Sequence, residues 1–136
     1  MKLLGIDYGR RRIGLAVTDE EGCCVRGLSV IDRKKVRNFT EELVTIIGVE
    51  KPAELVFGLP LDIDDQETVM SREVRSFAAQ VQERTGLPVH FIDESFTSQK
   101  AAQLMLYRKK KERRDKSLSD RIAACLILQT FLEDRT

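Results

Sequence analysis

Twice between Val36 and Ile92, a segment with helical period runs into a short apolar run of strand length, and this alternation restricts the fold more than any other feature of the chain. Val36 to Val49 carries Val36, Phe39, Leu43, Ile46 and Ile47 at helical spacing, with Pro52 beyond its end; Glu54 to Leu59 (ELVFGL) follows as a strand closed by Pro60. Met70, Val74, Phe77, Ala78 and Val81 then recur at i, i+4, i+7, i+8 and i+11 in a helix stopped at Gly86, and Pro88 to Ile92 (PVHFI) forms the next strand. A strand that returns through a helix must pair in parallel, and the crossover is nearly always right-handed. Ahead of these units, Lys2 to Ile6, Ile13 to Thr18 and Val25 to Ile31 read as strands joined by short turns, the second marked by Glu20-Glu21-Gly22. Behind them come helices over Ser98 to Leu106 and Leu118 to Leu132, the last turning Ile122, Ala123, Ile127, Leu128 and Phe131 inward. The order βββαβαβαα predicts an α/β fold: a mixed five-stranded sheet, part antiparallel meander and part parallel, flanked by helices. The first, fourth and fifth strands lie side by side, and the carboxyl edge of that parallel part is where a site belongs.

At 136 residues the chain is expected to form one domain over residues 1–136, burying ~68% of the surface its unfolded form exposes, enough for a core without staples. No apolar run approaches the ~18 residues of a spanning helix, and the N-terminus lacks a basic segment followed by an apolar core and cleavage site. A cytoplasmic protein that does not engage a membrane is expected. Cys23, Cys24 and Cys125 have neither disulfide nor zinc spacing and read as small reduced packing residues. The net charge of +1 excludes nothing by itself, but its distribution is uneven: Arg108 to Lys116 is strongly basic, whereas Asp62, Asp64, Asp65 and Glu67 form an acidic patch.

Carboxylates converge on the carboxyl edge. Asp7 ends the first strand, Asp93-Glu94 ends the fifth, and Asp120 stands in the first turn of the last helix, with Ala123, Ala124, Ile127 and Phe131 following on the stripe that must face the sheet. Clustered carboxylates repel unless a cation neutralises them, and hard oxygen ligands without nearby His or Cys favour Mg²⁺ or Mn²⁺ over zinc. Such a site suits phosphate chemistry; in its two-metal form, ions ~3.5–4 Å apart divide activation of water from stabilisation of the leaving oxygen. Each acid also has a structural reading. Ser117 to Asp120 fits a capping box, Asp7 fits a turn between glycines, and Asp93-Glu94 can serve the start of the next helix.

Five blocks in order carry a family resemblance: GIDYGRRRIGLAVTD, LVFGLPLDIDD, REVRSFA, VHFIDESFTSQKA and SDRIAACLILQTFL. Together they resemble the YqgF (RuvX) family, relatives of the RuvC-type Holliday-junction resolvases, over nearly the whole chain. The resemblance implies a ribonuclease H-like fold, a Mg²⁺-dependent nuclease site, and processing of the 5′ end of the 16S ribosomal RNA precursor. The alternative it carries is resolution of Holliday junctions. By the same resemblance the catalytic and metal-binding set is Asp7, Glu94 and Asp120. Asp93 stands beside it as a further candidate, because strand alternation allows only one of the Asp93-Glu94 pair to reach a metal. The chain departs from the commoner family pattern at Ser95, where an arginine often follows the acidic pair, and at Asp62 and Asp65.

Substrate binding is expected from Arg10, Arg11 and Arg12 after Asp7, and from Arg108, Lys109, Lys110, Lys111, Arg113 and Arg114 before the last helix. The partner is then structured RNA, as in a ribosomal RNA precursor, or branched DNA, held through phosphates in a sequence-blind and salt-sensitive manner. His90, the sole histidine, reads as a packed or hydrogen-bonded strand residue, with a general-base role as the other reading. Gly58-Leu59-Pro60 lets backbone or nucleic acid approach closely at the end of the fourth strand. An ATPase of the actin and hexokinase kind begins with a similar glycine-aspartate hairpin, but needs a second lobe and phosphate loop for which this chain has no room. A non-catalytic RNA-binding assembly factor is the other rival, and retention of all three acids speaks against it.

Overall fold

The computed structural model describes residues 1–61, 64, 66–93 and 116–135. Its strands are β1 (Leu3–Tyr8), β2 (Arg12–Thr18), β3 (Val25–Asp32), β4 (Glu54–Leu59) and β5 (Val89–Asp93), and its helices α1 (Phe39–Glu50), α2 (Val69–Thr85) and α3 (Lys116–Arg135). The helix expected over Ser98 to Leu106 lies outside the described residues. The five strands form one sheet in the order β3-β2-β1-β4-β5. β1 pairs antiparallel with β2 and parallel with β4, β2 is antiparallel to β3, and β4 is parallel to β5, the arrangement the crossovers demand.

Local signals set the helix ends. α1 starts at Phe39, not Val36, because the Asn38 side chain accepts hydrogen bonds from the N–H groups of Thr40 and Glu41 at 3.1 and 3.2 Å. Val36 falls in helical phase but belongs to the preceding turn, where the Lys35 N–H donates to the Asp32 carbonyl. α2 opens on a capping box between Thr68 and Ser71 and closes at Gly86, whose left-handed φ of 72° and N–H to the Gln82 carbonyl stop the helix where sequence placed the stop. α3 begins before Leu118, so Ser117 is a residue of the helix and not its cap.

The sheet separates two cores. On one face Leu4, Ile6 and Tyr8 of β1 join Ile13, Leu15 and Val17 of β2 and Leu55, Phe57 and Leu59 of β4 under α1 and α2. Phe77 of α2 is the centre of an aromatic group there, 4.9 Å from Tyr8, 5.5 Å from Phe39 and 6.1 Å from Phe57 between ring centroids, each such pair adding ~0.5–1.5 kcal/mol beyond area burial. On the other face Leu3, Ala16 and Val56 pack against Ala124, Ile127, Leu128 and Phe131 of α3. This second core is thin because the helix sits almost on the sheet: a Cβ at Gly5 would lie 2.6 Å from Leu128 Cγ, and one at Gly14 2.2 Å from the Asp120 carbonyl oxygen. The cysteines depart from expectation. Cys23 and Cys24 are exposed in the turn after β2, where their N–H groups donate to the Asp19 carboxylate, so they are not packing residues. Cys125 is half-buried, and burial pushes its thiol up, away from reactivity.

Candidate active site

Strand alternation fixes the face on which each acid stands. In β1, Leu3 belongs to the α3 core and Gly5 is pressed by α3, so Asp7, two residues on, faces α3 as well. Asp7 is paired across the antiparallel ladder with Gly14. The missing side chain of Gly14 is also the point that Asp120 fills, its carbonyl oxygen and Cβ lying 2.2 and 3.1 Å from where a Cβ would be. Asp7 and Asp120 are therefore neighbours across one glycine, although 113 positions separate them in sequence. The parallel ladder to β4 ends at Ile6↔Phe57, one residue before Asp7, so this acid stands just beyond the part of β1 that pairs with β4.

Asp120 is the fifth residue of α3 and lies past the first turn, where a backbone N–H has an intrahelical partner. Its carboxylate instead accepts a 2.7 Å hydrogen bond from Arg12 Nε, an ion pair whose side chains are about one quarter exposed. The capping-box reading is corrected accordingly: Asp120 answers a cation on β2, not a free helix N–H. Arg12 projects to the α3 face with Gly14 and Ala16, which is why it reaches Asp120.

Asp93 ends β5 opposite Leu59 and shares the α2 face with Leu59 and Phe91, whereas Ile92 packs with α3. Asp93 is thereby turned to the face away from Asp7 and Asp120. Glu94 lies outside the described residues, as do Arg108, Lys109, Lys110, Lys111, Arg113 and Arg114. Among the described residues, no group of three or more His, Cys, Asp or Glu could hold a metal. Two hard carboxylates on one face, brought near each other by the glycine between them, nonetheless fit one side of a Mg²⁺ or Mn²⁺ site. Of the arginines after Asp7, Arg10 is exposed, Arg11 donates from Nε to Asp32 at 3.1 Å, and Arg12 is engaged with Asp120.

His90 belongs to a different end of the same face. Its Nε2 lies 2.6 Å from Glu54 Oε1 and its ring packs 4.8 Å from Phe131, while Arg135 adds a 3.3 Å contact to the same carboxylate. It pairs with Val56, which pairs with Gly5, so it stands two strands and two residues from Asp7, roughly 12 Å away. The packed, hydrogen-bonded reading is the one this geometry matches. Burial of Glu54 favours its neutral form, but the hydrogen bond from His90 and the charges of Arg135 and His90 outweigh it and hold the carboxyl below its ordinary range.

Sequence reasoning passed over Arg33. Its Nη1 donates to the Gly9 carbonyl at 2.9 Å, and its guanidinium lies 4.3 Å above the Phe39 ring and 5.1 Å from that of Tyr8. Arg33 thereby braces the turn that follows Asp7. The signal was the run Asp32 to Arg37 (DRKKVR), but only the β2–β3 pairing brings it to this end of the sheet.

The fold has close counterparts. The Thermus thermophilus RuvC, solved in complex with a Holliday junction substrate, superposes with a TM-score of 0.65 over 100% of this chain and 97% of its own at 16% identity, which establishes a shared ribonuclease H-like architecture. A Maridesulfovibrio salexigens protein, named as a proposed pre-16S rRNA nuclease, is 37% identical over 132 residues, 97% of this chain and 98% of that protein. A protein of the same name from Oleidesulfovibrio alaskensis is 38% identical over 138 residues, 99% of this chain and 96% of its own length. The model of the family described as "RuvX: Holliday junction resolvase" matches residues 1–134. By that match and these identities over nearly its whole length, the chain belongs to the RuvX (YqgF) family.

Proposed function

We propose that this chain is a divalent-cation-dependent nuclease, one domain over residues 1–136, that hydrolyses phosphodiester bonds in the precursor of 16S ribosomal RNA in the cytoplasm. The observation that carries the reading is the meeting of Asp7 and Asp120 across Gly14. Two carboxylates brought to one half-buried face suit a divalent cation, and Arg12 already holds Asp120 in place there. Asp7 and Asp120, completed by Glu94, would hold Mg²⁺ or Mn²⁺; Asp93, turned to the other face, is left out of the set. When bound, such an ion supplies Lewis-acid stabilisation of charge on phosphoryl oxygens. The chain's own residues do the rest. Arg12 orients the Asp120 carboxylate, and Arg33 braces the Gly9 turn behind Asp7. Arg10 and Arg11, with Arg108, Lys109, Lys110, Lys111, Arg113 and Arg114, attract the phosphate backbone. The names of the relatives favour ribosomal RNA precursor as substrate, and the likeness to a resolvase makes branched DNA the second candidate.

The test is cleavage of a 16S precursor transcript and of a four-way DNA junction by wild type and Asp7→Asn, each with Mg²⁺, Mn²⁺ or chelator. Wild type is expected to cut the transcript only with metal, and the Asn variant to lose at least ~10²-fold in rate, since altering even a partner of a metal ligand typically costs 10–100-fold. Cutting of the junction alone would make the chain a resolvase. Cutting of neither would leave a non-catalytic RNA-binding factor, and equal cutting by the variant would remove Asp7 from the reaction and overturn the site.

A further inference from the structure

A rim of cations stands beside the carboxylates, assembled from two segments far apart in sequence. Of the ten residues in Gly9–Arg12 and Asp32–Arg37, seven are Lys or Arg and one is acidic, in a chain whose net charge is +1. The pairing of Arg12 with Asp32 and of Ile13 with Ile31 brings the end of β3 to the Asp7 end of the sheet, two strands away or roughly 10 Å.

The two segments are bound to each other before any ligand arrives. The Arg33 N–H donates to the Arg11 carbonyl at 2.9 Å, and Arg33 Nη1 to the Gly9 carbonyl at 2.9 Å. Arg11 Nε and the Lys34 N–H donate to the Asp32 carboxylate at 3.1 and 3.0 Å. The Arg11 hydrogen bond, foremost, holds the Asp32 carboxyl below its usual range, so it remains an ionised link. Arg12 and Arg33 are engaged internally, while Arg10, Lys34, Lys35 and Arg37 are exposed. Cations held this close to one another repel, and that repulsion is relieved by a polyanion. The rim itself presents little aromatic surface: Tyr8 is buried and the Arg33 guanidinium lies over the half-buried Phe39 ring, whose other side borders a small opening with Tyr8 and Phe77 between α1 and α2. The exposed groups of the rim are cations and not rings, which suits a helical phosphate backbone better than unstacked bases.

We propose that the β1–β2 turn and the β3–α1 loop form one preassembled grip for the phosphate backbone of a double-stranded arm of the substrate, lying on the meander side of the cleaved bond. The grip rests on the nuclease reading and adds to it a surface and an orientation. It is sequence-blind and reads only charge and helical form.

The experiment compares two double variants that remove the same charge from opposite ends of the sheet: Lys34→Gln with Lys35→Gln, and Arg26→Gln with Lys51→Gln. Binding of labelled duplex RNA, duplex DNA and single strands of equal length is followed by fluorescence anisotropy in chelator from ~50 to ~300 mM salt. For the better-bound duplex, the rim variant is expected to flatten the slope of log K against log salt by about 1.8 and to weaken binding about tenfold or more at ~0.1 M salt. The distal variant should change the slope by less than half as much. Equal slopes for the two variants, or single strands bound as tightly as duplex, overturn the proposal. Chelator prevents cleavage, so the two readings fail separately. A protein that cuts nothing yet shows the slope difference refutes the nuclease reading alone, and a competent nuclease with equal slopes refutes the grip alone.

Discussion

On the α1/α2 face of β1 stand Leu4, Ile6 and Tyr8, buried among apolar and aromatic neighbours; on the α3 face, one residue out of phase, stand Leu3, Gly5 and Asp7. The first face is filled by large side chains, with Phe57 and Phe77 at its middle. The second is a thin apolar seam between two ionic ends, Arg12 with Asp120 at one and Glu54 with His90 and Arg135 at the other. Small residues on the second face bring a helix close enough to place a carboxylate beside a strand carboxylate. Large residues on the first face supply the burial that stabilises this approach. The proposed function thus puts stability and chemistry on opposite sides of the same strand, and substitutions on the two sides should separate them.

The largest effect is expected from Phe77→Ala, which empties the centre of the aromatic group and should cost ~3–5 kcal/mol in denaturant unfolding. Activity per folded molecule should be unchanged, because Phe77 touches only the α1/α2 side. A fall in that specific activity would break the division between the faces. Gly14→Ala comes next. Its Cβ would meet the Asp120 backbone, which cannot swing aside as a side chain can, so ~1–3 kcal/mol of stability should be lost to overpacking. Here specific activity should fall with stability, about tenfold or more, because the helix that carries Asp120 must move; an unchanged rate would show that the close approach is not what positions the acid. Gly48→Ala gives the converse on α1, where an added Cβ meets nothing within 4 Å. It should raise stability by ~0.5–1 kcal/mol with no change in cleavage.

The smallest effect concerns the far ionic end of the α3 face. Glu54 titrates below its ordinary range in the folded chain, so its contribution is present at neutral pH and is lost as pH falls through the acid range. Glu54→Gln should therefore flatten the acid limb of a plot of stability against pH and leave its neutral limb parallel to wild type. An acid limb of unaltered steepness would show that the cluster does not couple to folding.

The strand order was legible because helical and strand periods alternate cleanly from Val36 to Ile92, and parallel pairing leaves few ways to connect them. The start of α1 was not, because Val36 fits the helical period while the cap that decides the boundary is a hydrogen bond from Asn38. Asp7 and Asp120 could be named as candidates from their places at element ends. Their shared neighbour could not: Gly14 looks like any strand glycine until the antiparallel register sets it opposite Asp7 and beneath Asp120. The partner of Arg12 was hidden for a similar reason. Three arginines in a row look like one phosphate contact, but β2 sends Arg12 to the helix side, where it meets an acid 108 residues away.

The central claim is that Asp7 and Asp120 serve one cation. Calorimetric titration with Mn²⁺ of the wild type, Asp7→Asn and Asp120→Asn, each checked for intact fold, tests it without reference to any substrate. Each variant is expected to bind Mn²⁺ more than ~10-fold more weakly than wild type, since each removes a ligand from the same ion. Wild-type affinity in either variant would contradict the account.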